Sequence, residues 1–396
     1  MPIVYRKQDC LPLGFMFSSA KKLGIVGGGQ LGKMMLYHTR KWDVYTKVLD
    51  PSVDAPSRLA CNEFVQGSLT DFDTLYNFGK DCEYLTIEIE NVNANALAAL
   101  EAEGVKVSPQ SSSLKVIQDK GLQKQFYAEH KYPTAPFSLK KDKSEILQSI
   151  EGGEWAYPFV QKSRLAGYDG KGVAVIRDEK SLAKLMDCPS VLEKLVDIKY
   201  EIAVVAARNP SGEVVSYDPV LMEFNEEANL LDLLLFPAPI SRELSVQAKE
   251  MAQRLIAEMD VCGLLAVEFF VDQDDKLIVN EVAPRPHNSG HQTIESCITD
   301  QYEMHLRAVM NCPLGSTECH IPSAMVNVLG AASHEGDVVY TGVEELMRKE
   351  GVHVHIYGKK QTRPFRKMGH ITVTNTNLDQ AKENALWAKE QLKSQS

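Results

Sequence analysis

Glu268 and Glu281 have the spacing of a cation-binding pair. Glu268 lies in the apolar run LLAVEFFV (Leu264 to Val271) and Glu281 in LIVNEVA (Leu277 to Ala283), with Asp272, Gln273, Asp274 and Asp275 between them. A hairpin turning at those four residues sets Glu268 opposite Val279 and Glu281 opposite Ala266. Both carboxylates then leave one face as diagonal neighbours, roughly 7–8 Å apart at the backbone. Two anions on an otherwise apolar face repel unless a cation lies between them. Paired hard oxygen donors suit Mg²⁺ on nucleotide phosphates. The same alternation also fits two glutamates on the solvent side of an open sheet.

Two glycine-rich segments have the composition of phosphate cradles. GGGQLG (Gly27 to Gly32) follows an apolar strand and opens a helical pattern, with Asp50 at the end of the next strand. Alone it reads as a dinucleotide fingerprint and supports a nicotinamide-linked dehydrogenase. It equally fits other phosphorylated ligands, or a tight turn with no ligand. KSRLAGYDGKG (Lys162 to Gly172) sits between two strands, which excludes a Walker-type loop. A long hairpin loop of this kind can close over a polyphosphate, with backbone N–H groups and Lys162 supplying positive field. A solvated hairpin tip explains its glycines but not Tyr168 and the flanking lysines. A dehydrogenase leaves this loop and the glutamate pair without a role.

Two further segments are chemically dense. NEVAPRPHNSGH (Asn280 to His291) leaves the Glu281 strand as a rigid polar loop. It is too proline-rich for the helix on which His287 and His291 could bind zinc, so it reads as a set of substrate contacts. KKQTRPFRK (Lys359 to Lys367) concentrates five cations in nine residues of an acidic chain. It is a solvated charge run, or a phosphate pocket if it folds back on the first domain.

The elements that must position these residues change character along the chain. Strands at 22–27, 45–49, 64–65, 84–89 and 105–107 alternate with helical pieces, which implies a parallel sheet covered on both faces. After a helix over 116–131 come strand pairs 157–163 with 172–177, 190–196 with 200–207, and 264–271 with 276–282. Helices are expected near 180–187 and 241–260. Strands at 324–329, 352–357 and 370–374 then precede a final helix at 378–393.

Composition bounds the reading. The 396 residues carry a formal net charge of −10 and are 44 % hydrophobic, which describes a globular chain of two or three domains. No apolar run approaches the ~20 residues of a membrane span. The acidic balance excludes a general nucleic-acid surface while leaving room for a local basic pocket. Eight cysteines without a Cys-x-x-Cys pair read as reduced thiols of a cytoplasmic protein. Arg6 and Lys7 before the apolar stretch Leu11 to Phe17 faintly mimic a secretion signal, but Asp9 and Pro12 interrupt it. Met16 stands just before the first strand, so residues 1–15 read as a dispensable part of an extension over 1–20.

Together these segments resemble the ATP-grasp superfamily and, within it, the N5-carboxyaminoimidazole ribonucleotide synthetase family. GIVGGGQLG (Gly24 to Gly32), TIEIENV (Thr86 to Val92), AGYDGKG (Ala166 to Gly172), NEVAPRPHNSGH and RPFRKMGHI (Arg363 to Ile371) carry the resemblance over nearly the whole chain. It implies an α/β and α+β architecture: a Rossmann-like domain over 21–117, an ATP-grasp domain over 118–315 and a small β-rich domain over 316–396. The implied reaction takes ATP, bicarbonate and 5-aminoimidazole ribonucleotide to the N5-carboxylated product through carboxyphosphate, in purine biosynthesis. By position, Lys120, Lys162, Gly167, Gly170, Gly172 and Asn280 resemble ATP contacts. Glu193, Lys194, Leu195 and Val196 resemble the adenine hinge, and Glu201 the ribose ligand. Glu268 and Glu281 match the Mg²⁺ carboxylates. Tyr168, Asp169 and Lys171 match the catalytic loop that closes over substrate. Gln30, Glu90, Arg285, His287 and Asn288 match substrate contacts, and Lys359 (or Lys360) with Arg366 the substrate-phosphate pair. Many relatives have histidine near Asn225, so that nucleotide contact stays unassigned. A homodimer without nucleic-acid or membrane partners is implied as well. A sister enzyme using formate is separated from this reading only by assay.

Overall fold

The computed structural model describes residues 21–165, 172–225 and 230–396. The extension over 1–20 and the loop residues Gly167, Tyr168, Asp169, Gly170 and Lys171 therefore lie outside the described residues.

Strands β1 (Lys22–Val26), β2 (Tyr45–Asp50), β3 (Glu63–Gln66), β4 (Tyr84–Ile87) and β5 (Lys106–Ser108) form a parallel sheet in the order β3-β2-β1-β4-β5. The order reverses at β1, and ligands of such sheets gather at the carboxyl ends of the strands beside that point. GGGQLG and TIEIENV both begin there. Helix Gln30–Lys41 buries Leu31, Met34 and Met35 against this sheet and against Tyr302, Leu306 and Val309 of helix Gln301–Val309. That shared core holds the first unit onto the rest of the chain.

The second sheet is antiparallel, in the order β6-β9-β7-β8, from β6 (Phe137–Lys140), β7 (Phe159–Ser163), β8 (Val173–Ile176) and β9 (Ser190–Lys194). The third contains β10 (Ile198–Arg208), β11 (Val214–Ser216), β12 (Val220–Asn225), β13 (Leu230–Phe236), β14 (Gly263–Asp272), β15 (Leu277–Ala283) and β16 (Ser323–Leu329). Alternation divides β10 between two cores. Ile202, Val204 and Ala206 pack on helix Arg242–Glu258, and Ala203, Val205 and Ala207 join Leu264, Ala266 and Met304 on the other face.

Beyond β16 the same sheet continues through β21 (Lys367–Thr374) to β19 (Val352–Ile356). Two short pairs complete this end: β17 (Gly336–Asp337) with β20 (Gln361–Thr362), and β18 (Val339–Thr341) with β22 (Lys393–Gln395). Helix Leu378–Gln391 covers the end by burying Ala381, Ala385 and Ala388.

Three expectations are corrected. Residues 190–196 and 200–207 do not form a hairpin: β9 and β10 belong to different sheets, joined at Lys194–Ile198. The apolar alternation of both strands is real, but each finds its partner far away in sequence. The helix over 116–131 is two helices, Ser111–Ile117 and Lys120–Glu129. Asp119 separates them by capping the second, accepting from Gly121 N at 2.7 Å and Leu122 N at 3.3 Å. The helix near 180–187 is a 3₁₀ turn, Glu179–Lys184.

Candidate active site

The glutamate pair sits closer than a simple hairpin allows. The turn holds three residues, with Asp272 N bonded to Lys276 O at 3.1 Å and Asp275 left-handed at φ +59°. A bulge at Asn280 then shifts the register once more, so that Glu268 faces Glu281 directly instead of Val279. Each change moves the register by one residue. Together they restore parity, which is why both carboxylates still share a face. Glu201 joins them there, because it precedes Ala203 by two and Ala203 pairs with Glu268.

Cations surround this face from other elements. Lys120, at the start of helix Lys120–Glu129, binds Glu281. Lys162 at the end of β7 donates to the bulged Asn280 Oδ1 at 2.7 Å and lies 3.2 Å from Glu193. Lys124, one helical turn beyond Lys120, lies 3.3 Å from the other oxygen of Glu193 and donates to Thr134 at 2.6 Å. Burial opposes ionisation of Glu281, but Lys120 and Lys162 outweigh it and hold its carboxyl low. Its side chain is still 41 % exposed toward the cleft, so water screens part of that attraction. Glu268 goes the other way, raised by burial and then by the charges of Glu281 and Glu201. Burial also pushes Glu201 up, to about 7. Lys124 falls to about 8 through burial, against the pull of Glu193.

This donor set fits a hard dication. Glu281 has Lys120, but Glu268 opposite it is raised by burial and then by the charges of Glu281 and Glu201, so the carboxylates of this face are short of positive charge. Among the described residues no cluster of three metal-binding side chains occurs. Two protein carboxylates leave the other positions of an octahedral ion to phosphate and water oxygens, as Mg²⁺ on a nucleotide requires.

The expected hinge residues fall where the small sheet passes into the large one. Glu193, next to last in β9, has its carboxylate turned inward to the two lysines, and Lys194 N donates to Pro136 O at 2.9 Å. Leu195 and Val196 are half-buried between the sheets. The foot of the glycine loop is tied to the same helix as Lys120. Arg164 forks onto Asp119 at 2.8 and 2.5 Å, its carbonyl accepts from Lys120 N at 2.9 Å, and Ser163 N donates to Gly172 O at 2.8 Å.

The polar loop after β15 connects this centre to the first unit. His287 Nε2 lies 3.7 Å from Glu268, while its backbone is clamped both ways by Gln301, at 2.9 and 2.8 Å. Arg285 forms an ion pair with Glu90, its Nε 2.9 Å from Oε1. Among the described residues, Asn288 keeps both amide atoms buried without a hydrogen-bond partner, an expense that a bound ligand removes. His291 is not at the site surface. It is buried against Tyr302 and His370, with Tyr302 Oη 2.9 Å from its Nδ1.

The basic turn does fold back on the first unit. Lys359, Lys360, Gln361 and Arg366 line a cavity of about 280 Å³ with Gly29, Asp50, Ser52 and Asp54. Lys33 fastens the turn by donating to Ile356 O at 3.1 Å and Tyr357 O at 3.2 Å. Lys359 donates to Lys367 O and Arg366 to Gln361 O, each at 2.6 Å, and Lys360 binds Asp54. Within GGGQLG the glycine amides are already used, Gly27 N by Leu49 O at 2.8 Å. Gly28 N donates to Asp50 Oδ2 at 2.8 Å, and Gly29 N and Gly32 N to Glu88 at 2.5 and 2.7 Å. The dinucleotide reading therefore fails at its own loop. Gln30 begins the helix directly beside the cavity.

Three segments match family models: residues 20–118 the ribonucleotide synthetase preATP-grasp domain, 125–302 the ATP-grasp domain, and 323–384 the phosphoribosylaminoimidazole carboxylase C-terminal domain. Over 373 residues the chain is 35 % identical to the N5-carboxyaminoimidazole ribonucleotide synthase of Staphylococcus aureus (strain COL), covering 93 % of this chain and 96 % of the relative. The chain belongs to that synthase family. The Thermotoga maritima N5-carboxyaminoimidazole ribonucleotide synthetase superposes with a TM-score of 0.87 at 39 % identity, over 95 % of this chain and 99 % of that one. An Aspergillus clavatus N5-carboxyaminoimidazole synthase, crystallised with ADP and 5-aminoimidazole ribonucleotide, superposes with a TM-score of 0.84 at 29 % identity, over 94 % of this chain and 99 % of that one. The fold is thus ATP-grasp, with the preATP-grasp and C-terminal domains of the synthase family.

Sequence reasoning missed two members of this synthase-type centre. Lys124 lies one turn from Lys120 in the same helix and could have been found by that i, i+4 spacing. Glu88 sits in TIEIENV, but only the packing of β4 against β1 brings it under the glycine loop.

Proposed function

We propose that this chain catalyses the ATP- and bicarbonate-dependent carboxylation of 5-aminoimidazole ribonucleotide, releasing ADP and phosphate in purine biosynthesis. The contact of His287 with Glu268, 3.7 Å, is the observation that carries the reading. It joins the carboxylate pair that would face a nucleotide to the polar loop, whose Arg285 pairs with Glu90 of the first unit, so the two anionic substrates would meet at that loop.

Glu268 and Glu281 would hold Mg²⁺, which supplies charge neutralisation at the nucleotide phosphates when bound. Lys120 and Lys162 take the phosphate oxygens, and the hinge backbone at Lys194–Val196 takes the adenine, with Glu201 on the ribose. Bicarbonate attacks the γ-phosphate, and the resulting carboxyphosphate delivers CO₂ to the exocyclic amine of the ribonucleotide. Phosphoryl transfer of this kind needs positioned cations and excluded water more than covalent help. Tyr168, Asp169 and Lys171 close the site against water. Gln30, Glu90, Arg285, His287 and Asn288 orient the ribonucleotide, and Lys359 and Arg366 grip its 5′-phosphate. We place the protein in the cytoplasm as a homodimer. The seven cysteines among the described residues are free thiols, which suits a reducing compartment, and no described helix is long and apolar enough to cross a membrane.

The test is ADP release in bicarbonate buffer with and without 5-aminoimidazole ribonucleotide, followed by ¹⁴C-bicarbonate incorporation. Ribonucleotide-dependent ADP release with label in an acid-labile product is expected. Equal turnover with formate in place of bicarbonate refutes the carboxylation, and light-scattering measurement of mass checks the dimer.

A further inference from the structure

The glycine-rich loop of the first domain contains an anion that belongs to the chain itself. Glu88 follows β4 and stands under the start of helix Gln30–Lys41, accepting from Gly29 N at 2.5 Å and from Gly32 N at 2.7 Å. That helix has no acidic residue in its first turn, and Gly29, its N-cap, has no side chain to offer. Glu88 therefore does from across the sheet what a capping side chain does locally, placing negative charge at the positive end of the helix.

Space at the loop is shaped to this carboxylate. A Cβ on Gly27 would stand 2.3 Å from Glu88 Cγ, and one on Gly29 2.5 Å from its Oε1. Gly27 is also left-handed, at φ +101°, so a side chain there is excluded twice. The glycines that read as room for a phosphate are room for a glutamate. Burial, with the charge of Asp50, pushes the Glu88 carboxyl above its usual range, while the two amides and Arg285 at longer range favour the charged form. Gly29, held by Glu88, is also a wall of the cavity that Lys359 and Arg366 line.

We infer that Glu88 is a positioning residue for the ribonucleotide, and the reason this loop takes no dinucleotide. It sets the backbone of Gly29 and Gln30 so that the cavity between them and the basic turn keeps its shape. It also occupies the amides a pyrophosphate would need. This rests on the proposed carboxylation of a phosphorylated ribonucleotide. A merely structural carboxylate would, on replacement, lower stability and affect both substrates alike.

The experiment uses Glu88→Gln and Glu88→Ala in the full chain, reading ¹⁴C-bicarbonate incorporation with each substrate varied. Glu88→Gln keeps the shape but sets an amide N–H₂ against a backbone N–H. We expect its KM for 5-aminoimidazole ribonucleotide to rise about tenfold while the KM for ATP stays within twofold. In Glu88→Ala, millimolar formate should restore the ribonucleotide KM at least fivefold, and formamide should not, because only an anion can replace the missing cap. Equal change for both substrates in Glu88→Gln overturns the inference. So does a folded Glu88→Ala that formate leaves unimproved. If the unaltered protein shows no ribonucleotide-dependent incorporation, the proposed function falls instead. Should Glu88→Ala fail to fold, the Glu88→Gln kinetics decide alone.

Discussion

Two groups of cations in this molecule are prepared in opposite ways. Lys120, Lys124 and Lys162 are bound to carboxylates, with Glu193 shared between two of them and Glu281 taken by the third. Arg366 and Lys359 in the basic turn donate to main-chain carbonyls. The first group is largely balanced by these carboxylates and sits beside two more, Glu268 and Glu201, so it suits an anion arriving with its own metal. The second lines its cavity with three cations, Lys359, Lys360 and Arg366, against Asp50 and Asp54, and suits a phosphate arriving alone.

The sharpest way to break this contrast is Glu281→Gln. It removes one of two opposed anionic donors and leaves Lys120 without its partner, so we expect ADP release to fall more than a hundredfold with the fold intact by circular dichroism. Near-normal turnover at ordinary Mg²⁺ would show that the pair is no metal site.

Arg366→Ala tests the other group. Loss of a charge-assisted grip should cost about 2–3 kcal/mol in kcat/KM for the ribonucleotide, with the KM for ATP nearly unchanged. An equal loss for ATP would return the turn to the protein surface.

Lys124→Met sharpens the comparison from the structural side. Glu193 is buried and would keep only Lys162, so unfolding in urea should show a loss of about 3 kcal/mol. The ATP KM should rise with little change for the ribonucleotide. Full stability would mean that one lysine satisfies Glu193.

The smallest effect concerns bases held neutral in the core. His291 and His370, behind the basic turn, lie well below the usual histidine range because burial disfavours their charge, and burial brings His305 down to about 3. The unfolded chain takes up protons below about pH 6.5 and the folded chain does not. Stability is thus complete above that pH and declines as the pH falls toward 3, by at most about 1.4 kcal/mol per unit for each such histidine. Urea unfolding at pH 7 and pH 5.5 measures it. His305→Gln should flatten the slope, and an unchanged slope would remove His305 from the account.

Features encoded over a few residues were legible in the chain before it folds. Alternation placed Glu268 and Glu281 on one face, and that conclusion survived an error of two positions in register because side-chain direction depends only on parity. Motif spacing likewise picked out the polar loop and the basic turn. The sequence could not decide which strands meet, since the same apolar alternation fits any partner. The supposed hairpin at 190–207 became the passage between two sheets for that reason. Nor could it decide what fills a glycine-rich turn. A phosphate and a carboxylate ask the same of Gly27, Gly29 and Gly32, namely free amides and no Cβ. Only the folded sheet, with β4 beside β1, put Glu88 59 residues away from Gly29 in sequence and 2.5 Å away in space.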